Sequence, residues 1–472
     1  MSKKLYRETG NVRLEDSPTP RFDLLELERY ATATIQLSRG CPFRCEFCDI
    51  IVMFGRKPRY KAAAAIGREL DELRRLGARK VFFVDDNFIG NKAKAKETLR
   101  FLVSYQERHG RALRFGTEAS LNLADDPELL ELFRAAGFEW AFLGIETPDA
   151  ETLRAAAKTQ NTGGDMLAAV RRIYAGGVDI LAGFIVGFDR DTPKSFEVQR
   201  RFIERSGIMV AMVGLLTALP KTPLFERLKR EGRLVEGAAA GDNTQARTNI
   251  VPKNMTAEQM SAGYKRLYTE LLSDRAIARR IRNKLAQFGL PPSTRRESLG
   301  EGAAILLRLL WRGIAPGGPA RAWHFLRSLP LKRARLLPLA VNDWIAGLSM
   351  RRFAERNLFG AGRETALSAE DAFLRLRTGL RGWRRRGKVR IALRKSRSEL
   401  AVRITGRLEP RLARRLVRHL RSALEGSRTR VVLAIEGRAC AEVERLSRAL
   451  ARYGDRAGIV LGRGLNDLLR VA

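Results

Sequence analysis

Between Ala31 and about Arg233 the chain alternates short β-branched or aromatic runs with helical stretches, and this alternation limits its fold more than any other feature. The runs are TATIQLS, KVFFVDD, LRFGTEA, EWAFLGIE, VDILAGFIVGF and VAMVGLLTAL. Helical stretches such as Ala62–Leu76, Lys92–His109, Pro127–Ala136 and Asp165–Ala175 lie between them. Strands separated by helices predict parallel βα units. A right-handed succession of such units closes into a full or partial barrel. The expected fold is therefore α/β, a partial (β/α)6 TIM-like barrel over residues 31–255. Parallel barrels carry their chemistry at the C-terminal ends of the strands.

The second constraint is the segment RGCPFRCEFCDI, residues 39–50, with the spacing Cys-x3-Cys-x2-Cys. Three of the four cysteines, Cys41, Cys45 and Cys48, fall within eight residues, and Cys440 stands apart. A chain this long with so few cysteines has no disulfide framework, and the clustering points to metal. Structural zinc needs a closed set of four ligands, and the nearest histidine is His109. Thiolates are also the ligands of iron–sulfur clusters. Three of them can hold three irons of a [4Fe–4S] cube and leave the fourth open. A zinc site and an electron-transfer cluster remain the alternatives.

The segment resembles the motif of the radical S-adenosylmethionine (SAM) superfamily, in which an aromatic residue, here Phe47, precedes the third cysteine. The resemblance implies a [4Fe–4S] cluster whose open iron binds the amino and carboxylate groups of SAM. Reductive cleavage of SAM would then give a 5′-deoxyadenosyl radical that abstracts hydrogen from a substrate, with an electron donor such as flavodoxin or ferredoxin. It also implies SAM contacts at strand ends. Asp85, Asp86 and Asn87 would meet the SAM amino group. Glu118 and Glu146 would accept hydrogen bonds from the ribose hydroxyls. Lys158 would pair with the methionine carboxylate, and the backbone at Gly187, in GFIVGF, would approach adenine. No catalytic residue beyond these is assigned.

Longer segments, among them PRFDLLELERYATATIQLSRGCPFRCEFCDIIVMFGRKPR, VFFVDDNFIGNK, KTQNT and TNIVP, are similar to the cobalamin-dependent (B12-binding) radical SAM group that includes the hopanoid C-2 methylases. The similarity runs from about Thr19 to about Asn357. It implies methyl transfer to an unreactive carbon of a lipid or terpenoid-like substrate. That group carries a cobalamin-binding domain ahead of the barrel, and this chain opens at what looks like the linker, residues 1–30. Three explanations are open: the cobalamin domain is a separate B12-binding protein, the start of the chain has been cut, or cobalamin is not used at all.

Charge divides the chain. Residues 1–270 hold 43 basic and 36 acidic residues, and residues 271–472 hold 45 and 16, giving +7 and +29 of the total +36. Residues 256–358 read as a basic helical extension. Within it, EGAAILLRLLWRGIAPGGPARAWHFLRSLP alternates Leu, Ile and Trp with Arg, and Trp311, Trp323 and Trp344 recur. Three readings fit: peripheral membrane contact, RNA binding, or packing of the apolar residues on the barrel. No run of about 18 or more apolar residues spans a membrane. The polar N-terminus has no signal-peptide core, so the expected compartment is the cytoplasm. His324 and His419 sit beside arginines and read as surface or packing residues.

Residues 359–388 read as a linker. Residues 389–472 read as a small unit in the order β-β-α-β-α-β, which vaguely resembles the STAS (anti-sigma-factor antagonist) fold. Function therefore divides into three classes: a radical SAM methyltransferase, a radical SAM enzyme acting on RNA, and a cluster-containing scaffold or regulatory protein.

Overall fold

The structure is a computed structural model; it describes residues 13–235, 248–292, 299–358 and, with short gaps, 373–461. Cys440, most of the 235–255 loop and the first half of the 359–388 linker lie outside the described residues. The chain divides into two compact units, residues 1–358 and 359–472.

The first unit is built on six parallel strands in sequential order: β1 (Ala33–Ile35), β2 (Lys80–Phe83), β3 (Arg114–Ala119), β4 (Phe138–Glu146), β5 (Asp179–Val186) and β6 (Val210–Leu215). Helices α1 (Ala63–Arg75), α2 (Lys92–Arg108), α3 (Pro127–Ala136), α4 (Ala150–Ala155), α5 (Met166–Ala175), α6 (Ser195–Ser206) and α7 (Pro223–Arg230) follow the strands. This is the partial TIM-like barrel that the alternation predicts. β6 does not pair with β1, so the sheet stays open along that edge.

Period-2 burial shows how the sheet divides its residues. Val81, Phe83, Phe115 and Phe138 are fully buried. With Phe133 of α3 they form the aromatic layer under the helices, with ring centroids 4.7 Å apart for Phe133–Phe138 and 5.6 Å for Phe83–Phe115. Phe82, Glu118, Trp140 and Phe142 alternate with these and are half-buried on the opposite face. Helix starts follow capping chemistry: the side chains of Asn91, Asp126, Asp149 and Asp165 each accept a backbone N–H of the helix they precede.

The extension continues as α8 (Ala257–Leu271), α9 (Asp274–Gln287), α10 (Leu299–Leu309), α11 (Gly318–Ser328) and α12 (Leu337–Phe353). It is fastened to the barrel through buried polar groups. Lys284 of α9 donates to Asp179 at the start of β5 (2.8 Å) and to Asp343 of α12 (2.7 Å). The buried Arg280 guanidinium donates to the carbonyls of Ile208, Met209 and Leu271. The three tryptophans part company. Trp344 is fully buried and donates its indole N–H to Ser328 (2.8 Å), whereas Trp311 and Trp323 are 79% and 58% exposed.

The second unit has β7 (Val389–Arg394), β8 (Glu399–Ile404), α13 (Pro410–Glu425), β9 (Arg430–Ile435), α14 (Ala441–Leu450) and β10 (Ala457–Leu461). The β7–β8 pair is antiparallel and the other pairs are parallel. Leu400, Val402, Leu416, Leu433 and Leu446 lie at its core.

Candidate active site

The residues marked in the sequence gather at the C-terminal ends of the strands. The cysteine loop leaves β1 and passes through a short antiparallel ribbon, Ser38–Arg39 against Arg59–Tyr60. Gly40 has φ +102°, and a Cβ there would lie 3.0 Å from the carbonyl oxygen of Gly55, so glycine is what lets the ribbon close before Cys41. Cys45 is buried; Cys41 and Cys48 are half-buried, and all three are free thiols.

The polar residues after β2 hold this loop. Asp85 is buried and accepts from the Leu37 N–H (2.7 Å) and the Ser38 hydroxyl (2.8 Å). Asp86 accepts from the Gly40 N–H at 2.6 Å. Asn87 donates to Ser120 at 3.1 Å, and its amide oxygen is buried without a partner among the described residues. Both oxygens of Asp85 are thus engaged with the loop, where the resemblance placed it against SAM. Burial pushes the Asp85 carboxyl up to about 7, against those two hydrogen bonds. The hydrogen bonds mark the ionised form as the one the loop is built around.

Glu118 and Glu146 differ. Glu118 accepts no side-chain hydrogen bond among the described residues, and burial, with Asp86 nearby, raises its carboxyl to about 7. Glu146 ends β4 at φ +64°, beyond a register irregularity at Gly144, and pairs with Lys158 at 2.7 Å with both side chains buried. Gly144 makes room for that pair: a Cβ there would lie 2.5 Å from the Glu146 Oε1. Burial works to lower the Lys158 ammonium, but Glu146, Cys45 and Cys48 outweigh it and raise it. Lys158 also lies over the Phe47 ring at 5.9 Å, and Phe47 packs edge-on against Phe188. Gly187 has φ +121° and gives its N–H to Asp191 (2.8 Å).

Sequence reasoning missed several residues here. Asp191 holds the N–H groups of both Gly187 and Phe188. Gln160 faces Cys45. Glu46, between two cysteines, receives both Arg227 Nε (3.2 Å) and Nη2 (3.0 Å) from α7. Because α7 follows β6 and Glu46 follows β1, this pair bridges the edge where the sheet stays open. The runs RGCPFRCEFCDI and KTQNT contain Glu46 and Gln160, but neither run says what those side chains touch.

Among the described residues no three Cys, His, Asp or Glu side chains converge on a single metal ion. A cube of four irons needs no such convergence, because each cysteine would take its own iron. Burial raises the Cys41 thiol and pushes Cys48 up to about 11, so metal loading must displace protons. Cysteines beside the Lys158 ammonium, with Phe47 between two of them packed into the apolar cluster of Phe188, Leu216, Ala218 and Ile250, fit an iron–sulfur cluster.

The model of the radical SAM superfamily matches residues 35–203. The chain carries a radical SAM domain. A domain of unknown function, DUF4070, matches residues 222–359, the last strand's outlet and the extension. The chain is 41% identical over 313 residues to an uncharacterized methyltransferase of Synechocystis sp., covering 65% of this chain and 58% of that protein. It is 39% identical over 322 residues to the hopanoid C-2 methylase of Rhodopseudomonas palustris, covering 66% and 60%. The chain thus spans about three-fifths of the length of the curated relatives it matches. A solved structure of the cobalamin-dependent SAM radical enzyme OxsB, with aqua-cobalamin and SAM bound, is 17% identical with a TM-score of 0.43, over 75% of this chain and 58% of that one. Radical SAM family membership of the domain implies a [4Fe–4S] cluster, SAM and a source of electrons.

Proposed function

We propose that this chain supplies the radical SAM part of a cobalamin-dependent C-methyltransferase acting on a lipid or terpenoid-like substrate. The observation that carries the reading is the similarity, 41% and 39% identical over more than 300 residues each, to an uncharacterized methyltransferase and a hopanoid C-2 methylase. Cys41, Cys45 and Cys48 would hold the cluster. Glu118 stands ready for a hydroxyl donor, Glu146 and Lys158 form the paired wall beside the cysteines, and Asp191 fixes the Gly187 segment that would approach adenine. When bound, the cluster and SAM supply the one-electron chemistry that activates an unreactive carbon. The chain's own residues position these groups and keep water out with Phe47, Phe188 and Leu216. Flavodoxin or ferredoxin would be the electron donor, and a B12-binding domain or protein would bring the cobalamin.

The test is anaerobic turnover with methyl-labelled SAM, a reductant and an apolar lipid extract, with and without a cobalamin-loaded protein fraction. Label is expected in the organic phase only when cobalamin is present. Cleavage of SAM with no labelled lipid in either arm would remove the methyl-transfer reading while leaving the radical chemistry in place.

A peripheral membrane position belongs to the same reading. Among the described residues no helix is long and apolar enough to cross a membrane. What supports surface contact is the outer side of α10 and α11. Leu307 and Trp311 are four residues apart there, Trp323 and Leu326 three apart, and Leu331, just beyond, is 83% exposed. Arg308, Arg312, Arg327, Lys332 and Arg335 are exposed among them, and Arg327 stacks on Trp323 at 5.4 Å. Interfacial tryptophan framed by cations suits an anionic bilayer. Co-sedimentation is expected with phosphatidylglycerol vesicles and not with phosphatidylcholine. The double variant Trp311→Ala, Trp323→Ala is expected to bind about tenfold more weakly, about 1.4 kcal/mol. Binding to RNA without binding to vesicles would overturn this part.

A further inference from the structure

Gln160 occupies the short 3-10 turn Thr159–Asn161 that follows α4, a segment that the SAM-contact assignments pass over. Its side-chain Nε2 lies 3.5 Å from the Sγ of Cys45, hydrogen-bonding distance for a sulfur acceptor. The other end of the amide, Oε1, is buried and has no partner among the described residues. Turning the amide over would set oxygen lone pairs against sulfur lone pairs, so a thiolate at Cys45 selects the orientation with N–H toward sulfur.

The turn that carries Gln160 is held on both sides. Lys158 before it is tied to Glu146, and its backbone N–H reaches the Leu153 carbonyl at 2.8 Å. Asn161 after it donates to the carbonyls of Gly144 (2.8 Å) and Ile145 (3.3 Å) at the end of β4. The backbone of Glu46, next to Cys45, donates to the Ala156 carbonyl just upstream of the turn. The cysteine loop and the Gln160 turn are therefore fixed to each other, and the N–H is aimed before any cluster arrives.

We propose that Gln160 is a positioning residue for the cluster: its amide N–H donates to the Cys45 sulfur and raises the reduction potential. The inference rests on the reading that the three cysteines hold a [4Fe–4S] cluster. Reduction adds one electron, part of whose charge falls on the ligand sulfurs. A donor to sulfur stabilises the reduced form more than the oxidised form. Lys158 acts with the same sign as a nearby charge, but Gln160 is the group aimed at a single ligand atom. A hydrogen bond to a charged acceptor is worth enough to move the reduced-to-oxidised ratio by about tenfold, which is ~59 mV for one electron.

The experiment is an EPR-monitored redox titration of the reconstituted full chain, compared with Gln160→Leu and Gln160→Glu, with iron and sulfide measured on each. Gln160→Leu removes the donor. Gln160→Glu keeps the shape, removes the donor and adds negative charge. The expected result is full cluster content in at least one variant and a more negative midpoint, by about a tenfold ratio in Gln160→Leu and by more in Gln160→Glu. An unchanged midpoint in a fully loaded variant overturns the proposal. So does loss of the cluster in both variants, because Gln160 would then be holding the loop and not tuning it. Failure of the unmodified protein to bind iron and sulfide is a separate outcome, and it would discard the cluster itself.

Discussion

The variant Cys45→Ala is expected to lose the iron–sulfur absorption of the reconstituted protein and to cleave no SAM, while its fold persists. Of the three cysteines, Cys45 is the one that is buried, and it faces both Gln160 and Lys158. Removing it would take away one of the three proposed iron ligands and leave the other two on a loop already fixed by other means. The Gly40 N–H still reaches Asp86, Leu37 and Ser38 still reach Asp85, and Glu46 still holds Arg227. Trading a small buried thiol for a methyl changes little packing, so the thermal midpoint should move slightly. Iron and sulfide content, the EPR signal of the reduced protein and 5′-deoxyadenosine formation check the result. Retained SAM cleavage in Cys45→Ala would sink the assignment of the cysteine loop. Full iron binding with no cleavage would instead favour a cluster-bearing scaffold.

The fold was readable because its signals are local. Each strand of the barrel is a short apolar or aromatic run, and α2, α3, α4 and α5 each carry a side-chain cap. Strand-end placement of Asp85, Glu118 and Glu146 follows from the same local pattern. What each carboxylate does at that place was not readable. Asp85 is turned to the cysteine loop by partners 47 and 48 residues away. Glu146 is bent to Lys158 by a positive φ and by the room Gly144 leaves, and neither shows in a propensity pattern. Gln160 meets a sulfur 115 residues distant, and Arg227 meets Glu46 across 181 residues. Trp311, Trp323 and Trp344 all lie in arginine-rich helical stretches. Only the packing of α11 and α12 separates the core tryptophan from the two that face outward.

Replacing Lys158 by Met is expected to destabilise the first unit by about 3–5 kcal/mol, the usual cost of leaving one member of a buried ion pair alone. Glu146 and Lys158 are both buried, 2.7 Å apart. Without the ammonium, the Glu146 carboxylate keeps no cation beside it. It must take up a proton or distort the end of β4. The double variant Glu146→Gln, Lys158→Met removes both charges and should recover most of the loss, since a buried pair exchanged as a whole for neutral groups is often near neutral in stability. Denaturant unfolding of the four proteins in this cycle gives the coupling directly. The same cycle separates folding from function. If the pair only stabilises the strand end, the double variant should bind SAM as the parent does. If Glu146 and Lys158 also meet the ribose and methionine carboxylate of SAM, the recovered double variant should still bind SAM weakly. Equal stability of Lys158→Met and the parent would mean that water reaches Glu146 and that the wall beside the cysteines is open.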